Sequence, residues 1–113
     1  MNSNTRGCVA YIAAEMCGLS RVTYDHAQSK ALSVSGTVTA GNIDVYDFDR
    51  SCHVSGSLEN LYDYGNKAHI QFAFDGEKFS GYDYASKFHF TGTVEAGFVS
   101  LYDYETSVYY RYS

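Results

Sequence analysis

The chain has 113 residues, of which 45% are hydrophobic, and a formal net charge of -5 from 13 acidic and 8 basic side chains. That length suits a single domain spanning 1–113, and the hydrophobic fraction excludes a disordered chain. The acidic balance argues against nucleic acid and anionic membrane surfaces as partners.

The first 20 residues read as a helical segment. Val9, Ile12, Ala13, Met16 and Cys17 recur at three- and four-residue steps, one face of a helix over 6–17. Asn4 is the expected cap and Gly18 the expected stop. The stretch from Gly7 to Gly18 does not read as a secretion signal, because Arg6 is the only side-chain charge before it and Glu15 interrupts it. Cys8, Cys17 and Cys52 are too few and too irregularly spaced for a disulfide framework, so they read as reduced thiols and the protein as cytoplasmic. No apolar stretch is long enough to cross a bilayer as a helix.

From 21 to 113 the sequence reads as a tandem β-repeat. Its signature is Tyr24-Asp25-His26, Tyr46-Asp47-Phe48, Tyr62-Asp63-Tyr64, Tyr82-Asp83-Tyr84 and Tyr102-Asp103-Tyr104. After each triplet comes a strand with strict polar–apolar alternation, such as His53-Val54-Ser55-Gly56, with Phe72 at the glycine position of the third unit. Twelve Tyr, seven Phe and no Pro favour strands throughout. The first tyrosines are 22, 16, 20 and 20 residues apart. These spacings differ by even numbers, which keeps each side chain on its face of a sheet. The expected fold is therefore all-β: an antiparallel meander of about ten short strands, curled or closed into a barrel, with one short N-terminal helix. A β-solenoid of about 20 residues per coil is the alternative.

Taking Asp49-Arg50-Ser51 and its equivalents as three-residue loops sets each aspartate opposite a histidine. The expected structural pairs are Asp47 with His53, Asp63 with His69 and Asp83 with His89, and each first tyrosine then faces an apolar residue on the core side, as Tyr62 faces Ile70. Histidines on alternate strands lie about 10 Å apart, too far to share one metal ion. No nucleophile elbow, phosphate loop or converging carboxylate set is present, so neither a catalytic residue, a metal nor a cofactor is expected. Tyr109, Tyr110, Arg111 and Tyr112 form a terminal strand aromatic on both faces, the expected binding site. The expected function is a non-enzymatic structural or protein-interaction module, whose partner is another protein or a second copy of itself. Small-ligand or carbohydrate binding by an aromatic-lined sheet or barrel is the alternative.

Overall fold

A computed structural model describes residues 1–19 and 22–113. The boundary expected at 20/21 between helical segment and β-region lies outside the described residues. The described residues form one helix, α1 (Ser3–Met16), and eleven strands: β1 (Tyr24–Asp25), β2 (Lys30–Ala31), β3 (Val34–Thr39), β4 (Asn42–Asp47), β5 (Cys52–Ser57), β6 (Asn60–Asp63), β7 (Ala68–Asp75), β8 (Lys78–Asp83), β9 (Phe88–Glu95), β10 (Phe98–Asp103) and β11 (Val108–Tyr112). All pair antiparallel in a single sheet of order β2-β1-β11-β10-β9-β8-β7-β6-β5-β4-β3. This is the meander, not the solenoid. The two ends of the sheet, β2 and β3, are consecutive in the chain. Leu32 and Ser33 join them: the Leu32 amide donates to the Thr23 carbonyl at 2.7 Å, and the Ser33 carbonyl accepts from the Phe48 amide at 2.9 Å. The sheet thus curls round without a ladder closing it. β11 lies between β10 and β1, with Asp25 opposite Tyr112.

The helix fills the space this sheet encloses. Every residue from Thr5 to Ala14 is buried, so α1 is covered on all sides and not on one face alone. Small residues make this possible: Gly7, Ala10, Ala13 and Ala14 keep the helix narrow, and a Cβ at Gly7 would press on Leu32 at 2.8 Å. The N-cap is Asn2, not Asn4; its side chain accepts from the Thr5 amide at 2.8 Å. At the other end Gly18 adopts φ +74°. The Gly18 amide donates to Glu15 at 3.2 Å and the Leu19 amide to Ala14 at 2.9 Å, which closes the last turn.

The hairpin register differs from the expected one by one residue. Each Tyr-Asp strand is followed by a four-residue loop, so Tyr46 faces His53, Tyr62 faces His69 and Tyr82 faces His89, while Asp47, Asp63 and Asp83 face Cys52, Ala68 and Phe88. The pairs Asp47–His53, Asp63–His69 and Asp83–His89 therefore do not form; in each the two side chains lie on opposite faces of the sheet. The fourth loop residue carries the left-handed turn: Ser29, Ser51, Lys67, Lys87 and Ser107 have φ between 52° and 65°. The aspartate makes this loop favourable. In all five hairpins its Oδ1 accepts from the amide two residues on, at 2.9–3.1 Å. The tyrosines consequently face outward and the aspartates inward.

Inside, glycines alternate with bulky side chains across neighbouring strands. Gly56 faces Leu61, whereas in the next hairpin Phe72 faces Gly81. The large residue and the glycine have exchanged strands, which keeps the volume of the layer. A Cβ at Gly81 would strike the Phe90 ring and one at Gly92 the Phe79 ring. Phe72, Phe74, Phe79 and Phe90 form a cluster with centroids 5.1–6.4 Å apart.

Candidate functional site

Two of the inward aspartates, Asp63 and Asp103, pair with residues at the N-terminal end of α1. Asp25, Asp47, Asp63, Asp83 and Asp103 are all only 1–2% exposed. Helix N-termini carry partial positive charge, which suits carboxylates, and specific partners add to it. Thr5 donates to Asp63 Oδ2 at 2.7 Å and accepts from Asn66 at 2.8 Å. Arg50 bridges two hairpins, with Nε 2.6 Å from Asp47 Oδ2 and Nη1 3.1 Å from Asp63 Oδ2. Asp103 Oδ2 lies 3.1 Å from the Met1 amine and 3.5 Å from Arg6, whose guanidinium sits 3.6 Å above the Tyr110 ring. The amine also pairs with Glu105. This network holds the turns in place; its aspartates are shielded from solvent, while Glu105 is exposed.

The outer wall is where chemistry meets solvent. Four of the five hairpins present an aromatic triad: the wall tyrosine, the first loop residue and the cross-strand residue; in the first hairpin Ala31 stands across from Tyr24. Tyr46 contacts Phe48 and His53, Tyr62 contacts Tyr64 and His69, and Tyr82 contacts Tyr84 and His89, edge to face at 4.7–4.9 Å. Tyr102, Tyr104 and Tyr109 repeat the arrangement with tyrosine in place of histidine. The loop rings Phe48, Tyr64, Tyr84 and Tyr104 are exposed by 49–60%, and the cross-strand residues His53, His69, His89 and Tyr109 are exposed as well.

Between successive hairpins the wall is indented. Three shallow clefts, of about 650, 420 and 710 Å³, are each lined by the histidine of one hairpin and the loop tyrosine of the next. The first holds His53, Ser55 and Tyr64, the second His69, Gln71 and Tyr84, the third His89, Thr91 and Tyr104. One backbone hydrogen bond fixes each: the amides of Tyr64, Tyr84 and Tyr104 donate to the carbonyls of His53, His69 and His89 at 3.1, 3.1 and 3.2 Å. Asp44 pairs with His53 at 3.0 Å beside the first cleft, and Glu59 borders the second and third.

The terminal strand does not present its four residues together. Tyr109 and Arg111 point outward, Arg111 lying 4.3 Å over the Phe98 ring, while Tyr110 is half-buried against Arg6 and Tyr112 is fully buried. The clefts were not anticipated from sequence, since they depend on which residues of neighbouring hairpins share the outer face. The signal that bears on them is the aromatic two residues after each first tyrosine. All three cysteines are free; burial pushes the Cys8 thiol far above its usual range, with the nearby Asp47 acting in the same sense. No helix among the described residues is long and apolar enough to cross a membrane. No family model, no curated protein and no solved structure matches the chain.

Proposed function

We propose that the protein is a non-enzymatic binding module that takes carbohydrate in the clefts of its outer wall. The observation that carries this reading is the makeup of each cleft. A half-exposed tyrosine ring stands beside an imidazole and a Ser, Gln or Thr side chain. A sugar ring has the complementary pattern, an apolar C–H face edged by hydroxyl groups. Aromatic rings with a polar tip and a few placed polar groups are the usual means of orienting such ligands. The net charge of -5 favours a neutral glycan over an anionic one. The five repeat aspartates are buried and engaged by turn amides, with Thr5, Arg6 and Arg50 as further partners, so the carboxylates beside the clefts are Asp44 and Glu59, one at each.

A second reading is protein interaction through the same rim. Exposed tyrosine and phenylalanine rings are favoured contact residues, and Phe48, Tyr64, Tyr84 and Tyr104 form a recurring set. Self-association through the edge of β11 has less support, because β1 already occupies that edge.

Titration with maltotriose and cellotriose, followed through the ring protons of the loop tyrosines by NMR, tests the carbohydrate reading. Binding is expected at a Kd near 1 mM, about -4 kcal/mol, with shifts confined to the cleft residues. Absence of any shift at roughly tenfold that concentration, together with capture of a protein partner lost in Tyr84→Ala, would favour the second reading.

A further inference from the structure

We infer that the clefts are parts of one continuous groove, and that the groove takes a single bent, neutral glycan of the amylose kind lying across the strands. This rests on the carbohydrate reading above and deepens it.

Continuity is read from shared walls. An indentation of about 490 Å³ lies between the first and second clefts; it shares Ser55 and Tyr64 with the first and Asn60 and His69 with the second. The second and third clefts share Glu59 and Gln71. The floor therefore runs from Asp44 on β4 to Thr91 on β9, with Tyr104 at its far end. Neighbouring strands lie about 4.8 Å apart, so a groove crossing from β4 to β9 is about 24 Å long. It follows the wall at right angles to the strands.

Two rows of side chains along the groove share one period. The rings of Tyr64, Tyr84 and Tyr104 recur at every second strand. So do Ser55, Gln71 and Thr91, which stand across from Tyr62, Tyr82 and Tyr102. A step of two strands is about 10 Å, close to the length of one disaccharide in a linear glycan. A chain in the groove thus meets a ring and a hydrogen-bonding side chain at every second sugar. Each ring is already held edge to face by the wall tyrosine behind it, at 4.7 or 4.8 Å, so stacking costs it little freedom.

Charge and curvature select the chain. The fixed charges lining the groove are Asp44, Glu59 and Lys87, a balance that does not attract an anionic polymer. The sheet curls round α1, so its outer wall is convex across the strands. A straight chain of the cellulose kind touches such a wall at one ring and then leaves it. A chain of the amylose kind bends in one sense and stays in contact. Contacts made by one chain are linked, so affinity rises with length until the groove is filled.

Calorimetric titration of the intact chain with maltose, maltotriose and maltohexaose, and with the cellulose-derived sugars of the same lengths, tests this. One maltohexaose per chain is expected, bound about tenfold or more tighter than maltotriose, while cellohexaose gains little over cellotriose. In NMR the ring protons of Tyr64, Tyr84 and Tyr104 are expected to saturate together as maltohexaose is added. Tyr84→Ala removes the middle ring and is expected to abolish most of the gain with length. Its amide spectrum is compared with the parent's, and the length series on the parent decides the matter by itself if the variant does not fold. Equal affinity for maltotriose and maltohexaose, more than one maltohexaose per chain, or an equal gain for cellohexaose overturns the inference and leaves the carbohydrate reading standing. Failure of every one of these sugars to bind overturns both.

Discussion

Asp63 and Asp83 occupy the same position in successive hairpins, yet they carry different loads. Asp63 accepts from two loop amides, from Thr5 and from Arg50. Asp83 accepts from one, the Ala85 amide, and has no ion pair among the described residues. Asp63→Ala leaves the partly buried guanidinium of Arg50 with Asp47 as its one carboxylate, beside the Thr5 and Asn66 oxygens, and is expected to cost about 1–3 kcal/mol beyond the loss of the turn contacts. Asp83→Ala removes a turn contact, a loss comparable to that of a helix cap, about 0.5–2 kcal/mol. Urea denaturation of the two variants gives the comparison, and equal costs would mean that Arg50 does not matter to the fold. Cys8 and Tyr112 set a second expectation. Burial raises both above their ordinary values of 9.0 and 10.0. The folded state then holds protons that the unfolded state releases. Their stabilisation is complete below about pH 9 and declines as pH rises beyond it. Melting temperature is expected to fall between pH 9 and 11, and less steeply in Cys8→Ala and Tyr112→Phe.

Among the elements, α1 departs furthest from the usual pattern of its kind. A surface helix shows an apolar stripe and a polar face. Here small residues occupy the positions where a polar face would stand, and the few polar groups, Thr5 and Arg6, are spent on aspartates. The helix behaves as the core of the sheet. Ile12 is fully buried, and Ile12→Ala is expected to cost about 2–5 kcal/mol. Ala10→Leu inserts volume where the wall leaves none, and is expected to cost about 1–3 kcal/mol. A surface helix would tolerate the second change, so chemical denaturation of Ala10→Leu discriminates between the two placements. Gly56 has φ +135°, and a Cβ there would meet the Asn60 carbonyl oxygen. Gly56→Ala is expected to lose more than about 1 kcal/mol.

At the scale of the molecule, one weak line within the sheet runs between β1 and β11. Each ladder in β7–β10 brings six residue pairs into register, while in the ladder of β1 with β11 the one pair is Asp25 with Tyr112. The amides of Thr23 and Tyr24 donate to the Ser113 carbonyl at 2.8 and 2.9 Å, and the Ser113 amide donates to Tyr24 at 3.1 Å. Local opening follows the least-paired backbone. Hydrogen exchange is expected to be faster at Thr23, Tyr24 and Ser113 than along β7–β9, yet slower than in an unfolded chain. Uniform protection across both regions would show that the sheet opens only as a whole.

The sequence alone determined the antiparallel meander, its approximate strand number and the helix with its Gly18 stop. Period-two alternation and even spacings constrain a sheet whatever surrounds it. It did not determine the loop length. Three- and four-residue loops both suit Asp-x-x-x-Ser or Asp-x-x-x-Lys, and no glycine marks the left-handed position. Polarity placed the aspartates outside with the histidines, because an unpartnered buried carboxylate is costly. The tertiary structure supplied the partners: turn amides from the same hairpin, Arg50 from the next turn, and Thr5 and Arg6 from a helix far away in the chain. With those in place the register moved by one residue, the tyrosines turned outward, and the clefts between hairpins came into being. Neighbours two strands apart share a surface only once the sheet has curled, and that curl depends on the helix it encloses.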